Sequence, residues 1–127
     1  MKKTQIVENT GQDYHIRIML MKHQGHLLSF FCKVVNDPRI SKAHMAVYMA
    51  LFYLWSKQQY QGLLSVYSWQ IMPIAKISTS GTYYMVIKQL DEYGYLKYLP
   101  SFYSKRASQV DLEVMTILNQ SQTDERG

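Results

Sequence analysis

The chain has one cysteine, three prolines and six glycines in 127 residues, and each scarcity closes off a class of protein. Cys32 alone cannot form an internal disulfide, and no second thiol offers a metal-ligand spacing, so the composition points to a reducing compartment, and cytoplasmic is the expected localisation. The glycines stand apart from one another, which leaves no glycine-rich phosphate loop of the P-loop or dinucleotide type. No Ser, Cys or Asp motif completes a nucleophilic arrangement around a histidine, so the chain reads as non-enzymatic, with no cofactor and no metal. The longest unbroken apolar run, Met45 to Trp55, falls short of the roughly 18–20 residues that span a bilayer, and no membrane segment is expected. The N-terminus opens Met-Lys-Lys but continues with Thr4, Gln5, Glu8, Asn9 and Gln12, so a secretory signal is not expected either.

What the chain does have is apolar and aromatic material, 47% hydrophobic residues with eleven tyrosines, enough for one compact core and against a disordered solvating chain. Formal net charge is +5, which favours an anionic partner. The excess is local. Between Lys76 and Arg106 stand Lys76, Lys88, Lys97, Lys105 and Arg106 against only Asp91 and Glu92, while the tail from Met115 is slightly acidic.

Residues 1–13 are polar and read as part of an N-terminal arm over 1–22, in which Tyr14 to Met21 alternates in a way that fits a strand or the first turns of a helix. The domain proper is expected over 23–114, with 115–127 a polar tail. After Gly25, Leu27, Leu28, Phe31, Val34 and Val35 recur at helical spacing up to Asn36 and Pro38. Ser41 is a good N-cap for a helix to about Gln59, whose two apolar stripes require neighbours on both sides. Gly62 breaks it, and Leu63 to Tyr67 fits the edge strand of a small sheet. Ser68 caps a brief helix to Ala75, with Pro73 near its end. The cluster Ser78-Thr79-Ser80-Gly81 then starts a helix to about Tyr93, stopped by Gly94. Tyr95 to Leu99 and Gln109 to Met115 have strand character and should pair as a hairpin around the loop Pro100 to Ser108. The expected fold is mainly α with a small β-hairpin wing, a winged helix-turn-helix with an extra N-terminal helix.

In that arrangement the second helix of the pair enters the DNA major groove and the hairpin lies beside it, on the backbone or in the minor groove. With Leu90 as core anchor, positions 83, 86, 87 and 90 share the inward face. Ser80, Gly81, Thr82, Tyr84, Met85 and Lys88 are left on or near the outward side, behind Ser78 and Thr79 at the helix start. Hydroxyls and amides at that start suit phosphate, and Thr82 and Tyr84 suit base edges or thymine methyls. Lys88, Lys105 and Arg106 are the expected phosphate clamps. Lys76 and Met85 complete the DNA-facing set.

The strings ISKAHMAVYMALFYLW at 40–55 and AKISTSGTYYMVIKQLDEYGYLKYLPS at 75–101 resemble winged-helix proteins of bacterial mobile elements, particularly those of Bacteroidetes. They are more distantly similar to the N-terminal domain of DnaD-type phage replication organisers. The resemblance covers about residues 23–114, and Thr82-Tyr83-Tyr84, Leu90, Gly94-Tyr95-Leu96 and Pro100-Ser101 carry most of it. It implies DNA binding in regulation, replication or transposition. The sequence departs from the pattern at Met85, where such helices often carry a basic residue, and at Gly81 inside the first turn.

Two readings of function follow: binding of double-stranded DNA as a transcriptional regulator or mobile-element accessory protein, and a winged-helix protein-interaction module in a replication or recombination assembly. His23 and His26, at His-x-x-His spacing but without a carboxylate or thiol ligand, are expected to be a surface pair. His44 is expected to pack or cap. Cys32, inside an apolar stripe, is expected to be a buried thiol. Tyr48, Tyr53, Tyr83, Tyr93, Tyr95 and Tyr98 are expected in or near the core. The extra helix, residues 26–36, is not needed by a winged-helix core, and is expected to extend into a homodimer interface that would set half-site spacing.

Overall fold

The computed structural model describes residues 10–103 and 106–114, with side chains from His23 onward; Lys105 and the tail, residues 115–127, lie outside the described residues. Its elements are α1 (Thr10–Val35), α2 (Lys42–Lys57), β1 (Leu64–Val66), α3 (Ser68–Ala75), α4 (Ser80–Glu92), β2 (Lys97–Leu99) and β3 (Ser108–Asp111). The architecture among the described residues is mainly helical, with a three-stranded antiparallel sheet in the order β1-β3-β2.

The N-terminal segment settles as a helix. The even spacing of Tyr14, Ile16, Ile18 and Leu20 satisfies i, i+4 as well as strand alternation, and no proline interrupts residues 10–35, so the helical solution extends over 26 residues. It passes unbroken through residues 22–23, where the sequence pattern put the end of an arm. It also passes through Gly25, which is exposed and tolerated at a cost of about 1 kcal/mol.

α1 packs on α2 through aromatic rings. The Phe30 ring stacks on Tyr48 at 3.8 Å, and both side chains are fully buried. The α1–α2 turn is then clasped to the far end of α4. Arg39 holds Asp37 through two side-chain hydrogen bonds of 2.8 and 2.9 Å, and Tyr95 donates its hydroxyl to the same carboxylate at 2.8 Å. The Arg39 guanidinium beside it holds the Asp37 carboxyl well below the usual carboxylate range.

Ser41 starts α2 as expected, through His44. The Ser41 amide donates to His44 Nδ1 at 2.9 Å, and His44 Nε2 lies 2.7 Å from Gln89 Oε1 on α4. With Oε1 as acceptor, Nε2 carries the proton and Nδ1 is left to accept, so one buried imidazole both caps α2 and ties it to α4. The helix ends at Lys57, before Gly62, because Gln59 and Tyr60 turn left-handed at φ 59° and 56°. Tyr60 is buried and its amide donates back to the Trp55 carbonyl, which compensates the unusual backbone.

β1 is an edge strand and β2 and β3 form the hairpin, with Tyr98 opposite Val110 and Leu64 on that residue's other side. Both outer strands are short. β3 ends at Asp111, before the predicted Met115, because the Asp111 carboxylate accepts the Glu113 amide at 3.0 Å and turns the chain. At α3 the N-cap is Tyr67 and not Ser68: Gln70 Oε1 reaches back to the Tyr67 amide at 2.8 Å.

α4 ends at Glu92, and just beyond it Gly94 turns the chain with a φ of +84°, which favours glycine. A Cβ there would also lie 3.3 Å from Lys33 Nζ, which donates to the carbonyls of Tyr93 and Gly94 and sits 4.3 Å from the Tyr95 ring centre. α4 has no basic residue in its own last turn, so Lys33 of α1 supplies the cation that its C-terminus favours. Gly94→Ala should therefore lower unfolding stability by about 1–2 kcal/mol in urea denaturation. An unchanged midpoint would refute this account of the corner.

Candidate nucleic-acid interface

α4 buries Tyr83, Val86, Ile87 and Leu90, the positions predicted to face inward, holds Gln89 against His44 of α2, and turns most of its remaining surface to solvent. Lys76, Ser78, Thr79, Ser80, Gly81, Tyr84, Met85 and Lys88 are exposed, and Thr82 is half-buried. These residues lie on the short connection from α3 and on the open side of one helix. They form a continuous strip by construction of the helix.

The helix start is organised by Thr79. Its hydroxyl oxygen accepts the Thr82 amide at 3.4 Å and donates to the Thr82 hydroxyl at 2.8 Å. One of the orphan first-turn amides is thus already used, and Ser80 and Gly81 supply those that still point outward. Gly81 has nothing within 4 Å of where a Cβ would sit, so the absence of a side chain leaves the first turn open to a close approach. Lys76 takes a left-handed conformation, φ 61°, as the C-cap of α3. Neither Lys76 nor Lys88 has an ion-pair partner among the described residues, so both charges are available.

Of the two acidic residues at the end of α4, Glu92 is exposed one turn beyond Lys88 on the same face, while Asp91 is engaged elsewhere. The Asp91 carboxylate accepts the Tyr98 amide at 2.8 Å, which fastens β2 to the last turn of α4 and fixes where the hairpin leaves the body. In the hairpin loop Arg106 is exposed, with its guanidinium 5.6 Å from the Tyr103 ring centre. Lys105 is a predicted clamp on which the described residues are silent. Phe102, 94% exposed, and Tyr103, 70% exposed, are the surface groups that sequence reasoning passed over. Their signal was present: two adjacent aromatics in a loop, fitting neither a strand nor a helix period.

Other expectations need correction. His23 and His26 are not a surface pair: His26 is buried, its Nε2 2.7 Å from the Tyr48 hydroxyl, and the His23 ring stacks on Tyr60 at 4.1 Å. Burial, with His23 adding to it, pushes the His26 imidazole down from 6.5 to about 4. The described residues contain no metal-binding cluster of His, Cys, Asp and Glu. Cys32 is exposed: it lies on the side of α1 with the exposed Leu28 and Val35, whereas Leu27, Phe31 and Val34 of the same helix pack against the core. Of the tyrosines, Tyr48, Tyr83, Tyr95 and Tyr98 are buried and Tyr93 half-buried, but Tyr53 is exposed beneath Lys57.

No described helix is long and apolar enough to cross a membrane. No known protein family, curated protein or solved structure matches the chain.

Proposed function

We propose that the protein is a winged helix-turn-helix DNA-binding protein, with α3 and α4 as the helix pair, α4 as the helix that enters the major groove, and the β2–β3 hairpin as the wing. One observation carries this reading: α4 is buried along one stripe while the opposite side, from Lys76 to Lys88, is exposed, hydroxyl-rich and holds unpaired cations. The hairpin with Arg106 is anchored to the same helix through Asp91. Backbone phosphates are met by Lys76, Lys88, Arg106 and the first-turn amides, and base edges by Thr82 and Tyr84. On this reading the protein is a regulator or accessory factor that acts by binding and not by catalysis.

A titration with duplex DNA over a range of salt concentrations tests the reading. The wild type should bind with log K falling linearly in log salt. The triple variant Lys76→Gln, Lys88→Gln, Arg106→Gln should bind more weakly, with a slope shallower by about one unit for each phosphate contact removed. All three side chains are exposed, so the fold should be unchanged. Wild-type binding that is absent, or insensitive to salt, would refute it.

The protein-interaction reading has its own support in Trp69 on α3, which is 66% exposed with its ring 5.4 Å from that of Tyr67. Retained biological function in the triple variant, with no DNA binding, would favour it.

A further inference from the structure

We infer that Phe102, at the apex of the β2–β3 loop, is a wedge that enters the minor groove of duplex DNA, opens one base step and bends the duplex around α4. The inference rests on the DNA-binding reading above and adds to it the step at which the duplex is deformed.

The apex is a built turn. Ser101 donates its hydroxyl to the Tyr103 carbonyl at 3.1 Å and accepts the Tyr103 amide on the same oxygen at 3.2 Å, so its side chain bridges the residue between them. The Arg106 amide donates to that same carbonyl at 3.0 Å, and the Ser101 amide donates to Ser108 Oγ at 3.2 Å. These four bonds fix the backbone on both sides of Phe102, whose ring is left almost wholly in water.

The neck of this loop stands beside the first turns of α4. The Tyr98 hydroxyl lies 3.4 Å from Ser108 Oγ, and the Tyr98 amide is held by Asp91. Burial first, and then the neighbouring Tyr98 and Tyr84, raise the Tyr83 hydroxyl above its ordinary pKa, so the Tyr98 and Tyr83 side chains are close. The Tyr83 ring in turn lies 5.1 Å from that of Tyr84, which belongs to the exposed strip. One duplex can therefore meet the strip and the loop together.

Chemistry selects the occupant. Phe102 carries no donor or acceptor, so it reads no base edge, and the place in a duplex where an apolar ring gains most is between two base pairs. Its surroundings suit a polyanion: from Tyr93 to Val110 the sequence contains Lys97, Lys105 and Arg106 and no carboxylate side chain. The exposed Arg106, its guanidinium 5.6 Å from the Tyr103 ring centre, is placed to hold a phosphate beside the opened step. A wedge in the minor groove bends the duplex toward its major groove, which is where the proposed reading puts α4, so loop and helix act in the same direction. Pyrimidine–purine steps such as TA unstack at the lowest cost and are the expected points of entry.

A short duplex with several TA steps, a dye at each end and 2-aminopurine in place of the adenine of each step tests the wedge. The wild type should raise the aminopurine fluorescence, as the base unstacks, and bring the two dyes closer. Phe102→Ala should do neither and should bind roughly tenfold more weakly, the loss expected for one aromatic stacking contact. Its salt slope should match the wild type, because no phosphate contact is removed. Phe102→Leu, still an apolar wedge, should keep the bend. The side chain is exposed, so both variants should keep the near-ultraviolet dichroism of the core. A wild type that binds with salt-dependent affinity but leaves the duplex straight, or a Phe102→Ala variant that bends it equally, overturns the wedge and leaves the DNA-binding reading standing. A wild type that binds no duplex overturns both. Wild-type binding to vesicles of anionic phospholipid that Phe102→Ala abolishes, with DNA bending unaltered, overturns the wedge and assigns the ring to a membrane surface.

Discussion

Replacing Phe30 with alanine lowers the stability of the whole protein by about 3–5 kcal/mol, the loss expected when a fully buried phenyl ring leaves a cavity that its neighbours cannot fill. The ring is held on three sides: flat on Tyr48 at 3.8 Å, edge-on to Tyr95 at 5.5 Å and edge-on to Phe31 at 5.3 Å. It is the point where α1, α2 and the α4–β2 corner meet. Small domains have only about 5–15 kcal/mol to lose, so the variant should be close to unfolding at physiological temperature. Leu28→Ala, two residues away on the exposed side of the same helix, is the control and should cost well under 1 kcal/mol. Urea unfolding followed by both tryptophan fluorescence and far-ultraviolet dichroism measures the difference. If Phe30→Ala leaves the fluorescence midpoint in place and shifts only the dichroism, α1 is a detachable appendage and this account of the core is wrong.

That result bears on which features were legible in the sequence. α4 was readable because its period, its cap at Thr79 and its stop at Gly94 all agree, and one anchor, Leu90, orients the entire helix. The short strands were readable as strands because each is bounded by a glycine, a proline or an Asx turn. α1 was harder for a physical reason: with apolar residues on two faces it has almost no preferred side, and periodicity alone cannot tell which face meets the body. Cys32 was therefore assigned to the interior when it lies outside. His23 and His26 were read as a polar surface pair because nothing local announces that Tyr48 and Tyr60, 22 and 37 residues away, are waiting to receive them. The clasp of Asp37, Arg39 and Tyr95 and the reach of Lys33 to the end of α4 are likewise long-range, and no local pattern encodes them.

The candidate interface divides in the same way. The outward strip from Lys76 to Lys88 follows from the helix period, so its residues could be named in advance. Phe102 and Tyr103 belong to a loop, where no period exists. Their exposure depends on how the hairpin leaves the body, which is set by the bond from Asp91 to the Tyr98 amide.

Acid should weaken the protein well before its carboxylates titrate. His26 is buried with its Nε2 2.7 Å from the Tyr48 hydroxyl, the Phe52 and Trp55 rings within 6 Å and His23 one turn away on the same helix. Burial first, and then the nearby His23, favour the neutral imidazole, and its pKa drops from 6.5 to about 4 on folding. Between those two values the unfolded chain binds a proton that the folded chain refuses. The stabilisation is thus complete above pH 6.5, is lost as pH falls toward 4, and changes no further below it. With allowance for solvent screening, the loss is on the order of 2 kcal/mol. Asp37 acts in the same direction, but its window opens only below the ordinary carboxylate value of 3.8. The two contributions are therefore separable. Urea midpoints measured at pH 7 and pH 4.5 should differ markedly in the wild type, and much less in His26→Gln, which can keep a hydrogen bond to Tyr48 but cannot take up a proton. A His26 ring signal that titrates near 6.5 in the folded protein by NMR would show instead that water reaches the imidazole, and that the aromatic packing between α1 and α2 is looser than its ring distances imply.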